Sequence, residues 1–207
     1  MDLVSLFGVS GRVALVTGGS RGIGLMIAEG LVSNGAKVYI TSRDEKACKK
    51  SEQKLNLLAK QGGSAVAFTS DLSTEKGCIE AVEFIKARES KLHILINNSG
   101  TNWGEALDKY PIDAFDKLFR LNLFGYFSLV QKLLPLLEAG ASSEWSANVI
   151  NIGSVMGISV PKLEVYAYAT SKAAVHHLTK ILAPKLAEKN ITCNAFAPVS
   201  FLGLSIC

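Results

Sequence analysis

Short runs that are apolar on consecutive residues alternate along this chain with longer stretches of helical pattern, and this alternation constrains the fold more than any single motif. The runs are Arg12–Thr17, Lys37–Ser42, Ser64–Ser70, His93–Asn97, Asn148–Ile152 and Ile191–Ala197. Between them, helical patterns begin near Gly22, Asp44, Thr74, Asp113 and Ala167. Val13-Ala14-Leu15-Val16 and Ile94-Leu95-Ile96 leave no polar face, as expected of strands covered on both sides. The pattern predicts an α/β fold, a doubly wound parallel sheet of six strands with helices on both faces. Ligands of such sheets sit beyond the carboxyl ends of the strands, so functional residues are sought there.

Length and composition narrow the function classes. At 207 residues, with no repeat, linker or low-complexity tract, residues 1–207 read as one domain large enough to bury a core. A hydrophobic share of 48% with 19% charged residues is that of a globular rather than a disordered chain. The net charge of +4 is mild and the Lys and Arg residues are scattered, so no nucleic-acid partner is expected. Cys48, Cys78, Cys193 and Cys207 show neither C-x-x-C spacing nor a companion His cluster. They read as reduced thiols, with no disulfide framework and no metal site. No basic signal-peptide start and no bilayer-length apolar stretch is seen, so the expected location is cytoplasmic, with no membrane partner.

The first strand runs into Thr17-Gly18-Gly19-Ser20-Arg21-Gly22-Ile23-Gly24, and a helical pattern follows directly. Glycines allow a tight turn and bring backbone N–H groups up to a pyrophosphate, while the helix N-terminus adds a favourable dipole. Three glycines in a turn mean little alone; closing a strand and opening a helix, they predict a Rossmann-type dinucleotide site. The spacing T-G-x-x-x-G-x-G resembles that of the short-chain dehydrogenase/reductase family, and the resemblance extends from about Gly11 to Pro198.

Cofactor choice is expected at the end of the second strand, in Tyr39-Ile40-Thr41-Ser42-Arg43. Ser42 stands where NAD-specific relatives place an acid for the ribose 2′-hydroxyl. Arg43 follows, and a guanidinium holds a 2′-phosphate where a carboxylate would repel it. Arg21 is a second candidate for that phosphate, and Asp44 reads as a helix N-cap. NADP(H) is therefore the expected cofactor. The resemblance implies further cofactor contacts at Gly18, Ser20, Arg21, Gly22, Ile23 and Gly24, and at Asp71 and Leu72 beside the adenine. It adds Asn98, Ser99 and Gly100 of Asn97-Asn98-Ser99-Gly100, a match to the family's N-N-A-G, and Pro198.

Tyr168 and Lys172 lie four apart in a helical segment and so share a face. A phenol is a poor proton donor near neutrality, and a nearby ammonium stabilises its phenolate. Tyr166 competes for the role, but its i+4 neighbour is Thr170, which carries no charge. Ser154 follows the fifth strand at the same sheet edge, where its hydroxyl can bond a carbonyl oxygen. The resemblance implies that Asn122 positions Lys172 through water and that Tyr168 and Lys172 also contact the cofactor. The expected catalytic set is Asn122, Ser154, Tyr168 and Lys172, acting in hydride transfer to a carbonyl. His176 and His177 read as helix-surface or subunit-contact residues.

Asn97 through Gly104 and Ile152 through Ile158 look most like the 3-oxoacyl-thioester reductase branch, so a small carbonyl or alcohol substrate is expected. Family members pair through the long helices, and the apolar residues Leu118, Leu121, Phe124, Phe127, Val175 and Leu178 predict a homodimer or homotetramer. The last stretch departs from the family. Val199 stands where it has Gly, and Phe-Leu-Gly-Leu-Ser-Ile-Cys matches none of its patterns, as in a truncated chain lacking the seventh strand and substrate cover. Ile191–Ala197 would then be an exposed apolar edge. Two readings follow: an NADPH-dependent carbonyl reductase, or a catalytically weak cofactor-binding chain that acts by associating with full-length subunits.

Overall fold

The structure, a computed structural model, describes residues 7–199. Its centre is a six-stranded parallel sheet in the order β3-β2-β1-β4-β5-β6. The strands are β1 (Val13–Thr17), β2 (Lys37–Ser42), β3 (Ser64–Thr69), β4 (Ile94–Asn97), β5 (Ala147–Ile152) and β6 (Ile191–Phe196). Each lies within a residue or so of its predicted run. The helices are α1 (Gly22–Ser33), α2 (Glu45–Leu58), α3 (Glu75–Lys86), α4 (Asp113–Phe119), α5 (Gly125–Gly140) and α6 (Tyr166–Ala187).

The alternation within β1 shows why the central strands carry no polar face. Val13 and Leu15 join a core with Val82 and Ile85 of α3, Leu129 and Leu133 of α5, and Leu186 of α6. Ala14 and Val16 point the other way, into a second core with Ala28 and Val32 of α1 and Leu55 of α2. Each helix presents an apolar stripe at helical spacing, as in Gly24, Ala28 and Val32 of α1. Full burial of one Leu-sized side chain contributes about 1.5–3 kcal/mol, so two such cores account for a continuous sheet of short strands.

Local chemistry fixes the helix starts. The Asp44 carboxylate accepts from the Ala47 N–H at 2.9 Å and caps α2, as the sequence predicts. Thr74 caps α3 through the Gly77 N–H at 3.0 Å. Between α4 and α5 the chain keeps winding, but as a π-helical turn over Arg120–Phe124. No sequence motif marks that turn, and it carries Asn122.

The sheet order reverses between β1 and β4, which opens a crevice at their carboxyl ends. Among the described residues β6 is the outer strand on its side. Ile191 and Cys193 are buried and Thr192 and Asn194 exposed, so the expected apolar edge is apolar only at Phe196, 59% exposed. The tail read from the sequence as foreign to the family lies, beyond Val199, outside the described residues.

Candidate active site

The turn after β1 closes against the end of β4 at the crevice. Gly18 and Gly22 both take positive φ, +63° and +56°, a region other residues enter only with strain. A Cβ on Gly18 would lie 2.9 Å from Asn98 Nδ2 and 3.1 Å from Ser99 Cα. One on Gly24 would lie 2.5 Å from Asn98 Nδ2, whereas one on Gly22 meets open space. The turn is thus packed on its sheet side and free on its outer side. The Thr17 hydroxyl holds the two loops together, accepting the N–H groups of Asn98 at 2.8 Å and Ser99 at 2.9 Å.

Asn98, expected to contact cofactor, spends its side-chain N–H groups on the carbonyls of Thr17, at 2.9 Å, and Gly18, at 3.3 Å. Its amide braces the glycine turn. Leu72 is likewise a buried core side chain. Asp71 accepts from the N–H and hydroxyl of Ser73, at 3.1 and 2.7 Å. Ser20 is buried, with its carbonyl accepting from Ser51 at 2.8 Å, and Ile23 is half-buried at the start of α1.

Whether a dinucleotide fits here is decided by the first turn of α1. Its N-cap is Arg21, whose side chain makes no capping bond, whereas α2 and α3 are capped by Asp44 and Thr74. The N–H groups of Gly22, Ile23 and Gly24 at the start of the helix therefore have no side-chain acceptor among the described residues, as an anion site requires. The residues present fit the group. Ser42 is half-buried and bonds within its own turn, to the Asp44 N–H at 3.3 Å, with Cys48 Sγ at 3.1 Å. Arg43 is exposed and lines a cleft with Ser73, Thr101, Lys117, Arg120 and Leu121. Among the described residues neither Arg21 nor Arg43 is held in an ion pair.

On the other side of the crevice, α6 presents Tyr168 and Lys172 on one face, with the ammonium 5.8 Å from the Tyr168 ring centroid. Lys172 is 3% exposed and donates to the Ile152 carbonyl at 2.6 Å. Burial lowers its pKa to about 8, so at pH 7 the group is still mostly an ammonium. Tyr126 packs beside it, and burial raises that phenol above its ordinary value. The start of α6 is held by the Tyr110 hydroxyl, which accepts the Ala167 N–H at 3.1 Å. Tyr166, the rejected alternative, turns its hydroxyl toward Glu164 at 3.4 Å.

Ser154 is buried in the loop after β5, with its hydroxyl accepting the Met156 N–H at 3.2 Å. Asn122 is fully buried, and its amide is committed in a way the sequence reading did not foresee. Its oxygen accepts from the Thr101 N–H at 2.9 Å; its nitrogen donates to the Thr101 carbonyl and to Ser171 Oγ, each at 3.0 Å. Its side chain reaches Lys172 only as a neighbour: a Cβ on Gly100 would lie 3.3 Å from Asn122 Oδ1 and 3.6 Å from Lys172 Nζ. The β4–α4 loop and α6 are thus joined through one amide. Pro198 accepts the Val155 N–H at 3.2 Å and so ties the end of β6 to the Ser154 loop.

His176 departs from its surface reading. It is half-buried with its ring against the Ser154 backbone, whereas His177 is exposed as expected. Among the described residues no cluster of three or more His, Cys, Asp or Glu is placed to hold a metal ion, and no helix is long and apolar enough to cross a membrane. Cys48, Cys78 and Cys193 are buried free thiols.

The burial of Lys172 has a measurable signature. Its folded-state pKa, about 8, lies below its ordinary 10.5. The unfolded chain therefore binds this proton more tightly, and the site becomes less destabilising as pH rises from about 8 to 10.5. Below pH 8 both states are protonated and the fold bears the whole cost, on the order of 3 kcal/mol. Lys172→Met should accordingly be more stable than the parent at pH 7, with the advantage shrinking toward pH 10. Denaturant melts across that range would show it; a pH-independent difference would contradict the assignment.

Comparison with known proteins places this geometry. The protein-family model described as short chain dehydrogenase matches residues 12–202. A rhamnolipids biosynthesis 3-oxoacyl-[acyl-carrier-protein] reductase of Pseudomonas aeruginosa is 46% identical over 195 residues, 94% of this chain and 75% of that protein. The solved Pseudomonas aeruginosa RhlG/NADP active-site complex superposes with a TM-score of 0.91 at 45% identity, covering 97% of this chain and 76% of that one. A 7 alpha-hydroxysteroid dehydrogenase complexed with NADH and 7-oxo glycochenodeoxycholic acid gives a TM-score of 0.88 at 29% identity, covering 98% and 76%.

Proposed function

The chain belongs to the short-chain dehydrogenase family, and from that premise we propose that it is an NADPH-dependent reductase that converts the ketone of a 3-oxoacyl thioester to an alcohol. One observation carries the reading: Tyr168 and a buried, still protonated Lys172 share a face of α6, and the Ser154 loop packs on that helix at the sheet edge that holds the glycine turn. NADPH bound along the glycine turn supplies the hydride. Ser154 Oγ donates to the substrate carbonyl oxygen and orients it. The Tyr168 phenol gives that oxygen its proton as the carbon is reduced, and Lys172 stabilises the phenolate left behind. In the reverse direction Tyr168 takes the proton back. Asn122 holds Thr101 and Ser171 in place on either side of Lys172.

Relatives of this fold are seen with either nicotinamide cofactor, so the preference has to rest on this chain's own residues. Ser42 leaves the 2′-position free of a carboxylate, and Arg43 and Arg21 stand near it as unpaired cations. The substrate class is proposed from the likeness to the Pseudomonas aeruginosa reductase. The cytoplasmic assignment rests on the buried free thiols, which belong in a reducing compartment. Turnover of a 3-oxoacyl thioester with NADPH, lowered at least about a hundredfold by Tyr168→Phe, is the test.

A homodimer is proposed on a narrower basis than the sequence suggested. Leu118, Leu121 and Val175 are buried within the chain, and Phe124, Phe127 and Ile181 remain exposed on α5, α6 and the turn before α5. Pairing through that surface should give twice the chain mass by light scattering at micromolar concentration. A monodisperse monomer would contradict it.

A further inference from the structure

The backbone of Ser154 is fixed by a residue that the reaction itself does not need. Its N–H points at His176 Nε2, 3.3 Å away, and the same nitrogen lies 3.0 Å from the Ser154 carbonyl oxygen. That carbonyl already accepts the Gly157 N–H at 3.0 Å, so the N–H is the group in need of a partner. An imidazole tautomer that leaves Nε2 bare meets the need. The two flanking amides are tied elsewhere: Gly153 N–H to the Phe196 carbonyl at 2.7 Å and Val155 N–H to the Pro198 carbonyl at 3.2 Å. Three consecutive amides are therefore anchored, the outer two on β6 and its extension and the middle one on α6.

Gly153 makes the approach possible. A Cβ there would lie 2.6 Å from His176 Nε2. His176 sits one helical turn beyond Lys172 and two beyond Tyr168, so a single face of α6 carries the proton donor, its ammonium partner and the serine's anchor. The face continues to Thr179, whose hydroxyl accepts from Asn151 Nδ2 at 3.0 Å on β5. Movement of the serine relative to the tyrosine is thereby tied to one rigid element.

We propose that His176 is a positioning residue for Ser154, holding its backbone so that the hydroxyl keeps one register against Tyr168. The proposal rests on the reductase reading for the role of Ser154. His176→Leu removes the acceptor and keeps an apolar side chain. His176→Gln restores an acceptor with similar reach, and Gly153→Ala displaces the ring without changing it.

The experiment has two arms on the full chain. With NADPH and acetoacetyl-coenzyme A, His176→Leu and Gly153→Ala should each lower kcat by about 10–100-fold, as misplacement of an orienting group does, while NADPH affinity stays near the parent's. His176→Gln should recover kcat to within about threefold of the parent. The second arm needs no turnover. Hydrogen exchange at the Ser154 amide should accelerate by about tenfold or more in His176→Leu and return toward the parent rate in His176→Gln, with the Gly153 and Val155 amides unchanged. A parent without turnover would count against the reductase reading, and the exchange arm would still decide the anchor. Unchanged Ser154 exchange in His176→Leu, or a Gln variant as slow in turnover as the Leu variant, would overturn the proposal.

Discussion

Tyr168→Phe should cost about 10²–10⁴-fold in turnover while leaving NADPH binding nearly intact, because a positioned proton donor contributes about that much to such a reaction. The phenyl ring can keep the place of the phenol beside Lys172, half-buried on α6, and only the hydroxyl is lost. Hydride transfer would then build negative charge on an oxygen that no group protonates. Tyr166→Phe is the matched control. That tyrosine stacks edge-on against Tyr110, with centroids 5.1 Å apart, and its hydroxyl reaches only Glu164. It should change turnover by no more than a few-fold. Equal losses in the two variants would remove Tyr168 from the mechanism.

Arg43→Asp should weaken NADPH by about a hundredfold and leave NADH within a few-fold of its parent affinity, erasing or reversing a preference of at least about tenfold. The substitution removes a charge-assisted bond to the 2′-phosphate and sets a repelling carboxylate one residue after Ser42, the position where NAD-specific relatives place their acid. Arg43 is exposed, so the contact is screened, and added salt should weaken NADPH more than NADH. Equal affinities for the two cofactors in the unmodified protein, by titration, would sink the assignment. Arg21 gives the same test a second handle, since it too is exposed at the open side of the glycine turn.

What could be read from the sequence was whatever depends on neighbours along the chain. The strands announce themselves as apolar runs because β1 packs Val13 and Leu15 into one core and Ala14 and Val16 into the other. The glycine turn is legible because positive φ at Gly18 and Gly22 is a local demand. The shared face of Tyr168 and Lys172 follows from helical periodicity, and Ser154 at the same sheet edge marked the pair out from an ordinary surface pair. Contacts across the sheet edge were not legible. Asn98 spends its amide on Thr17 and Gly18, some eighty residues earlier, a bracing role that its likeness to the family motif did not reveal. Asn122 turns inward on a π-helical turn with no sequence signature, and its partners are Thr101 and Ser171. His176 looked like a surface residue because its partner is a backbone amide on another element. A backbone group carries no mark in a sequence. Gly153 beside Ser154 was the one available hint, since a glycine directly before a candidate catalytic residue asks what needs the space.

Ser154, Tyr168 and Lys172 are proposed to reduce a 3-oxo group with hydride from NADPH, and oxidation of NADPH by this chain in the presence of acetoacetyl-coenzyme A tests that proposal. Substrate-dependent loss of NADPH absorbance is expected, slower with NADH, lowered about 10²–10⁴-fold in Tyr168→Phe and accompanied by one hydroxyacyl product per cofactor oxidised. NADPH bound with no turnover would contradict it and leave a cofactor-binding chain acting through associated subunits. Turnover in Tyr168→Phe within a few-fold of the parent's would contradict the site itself.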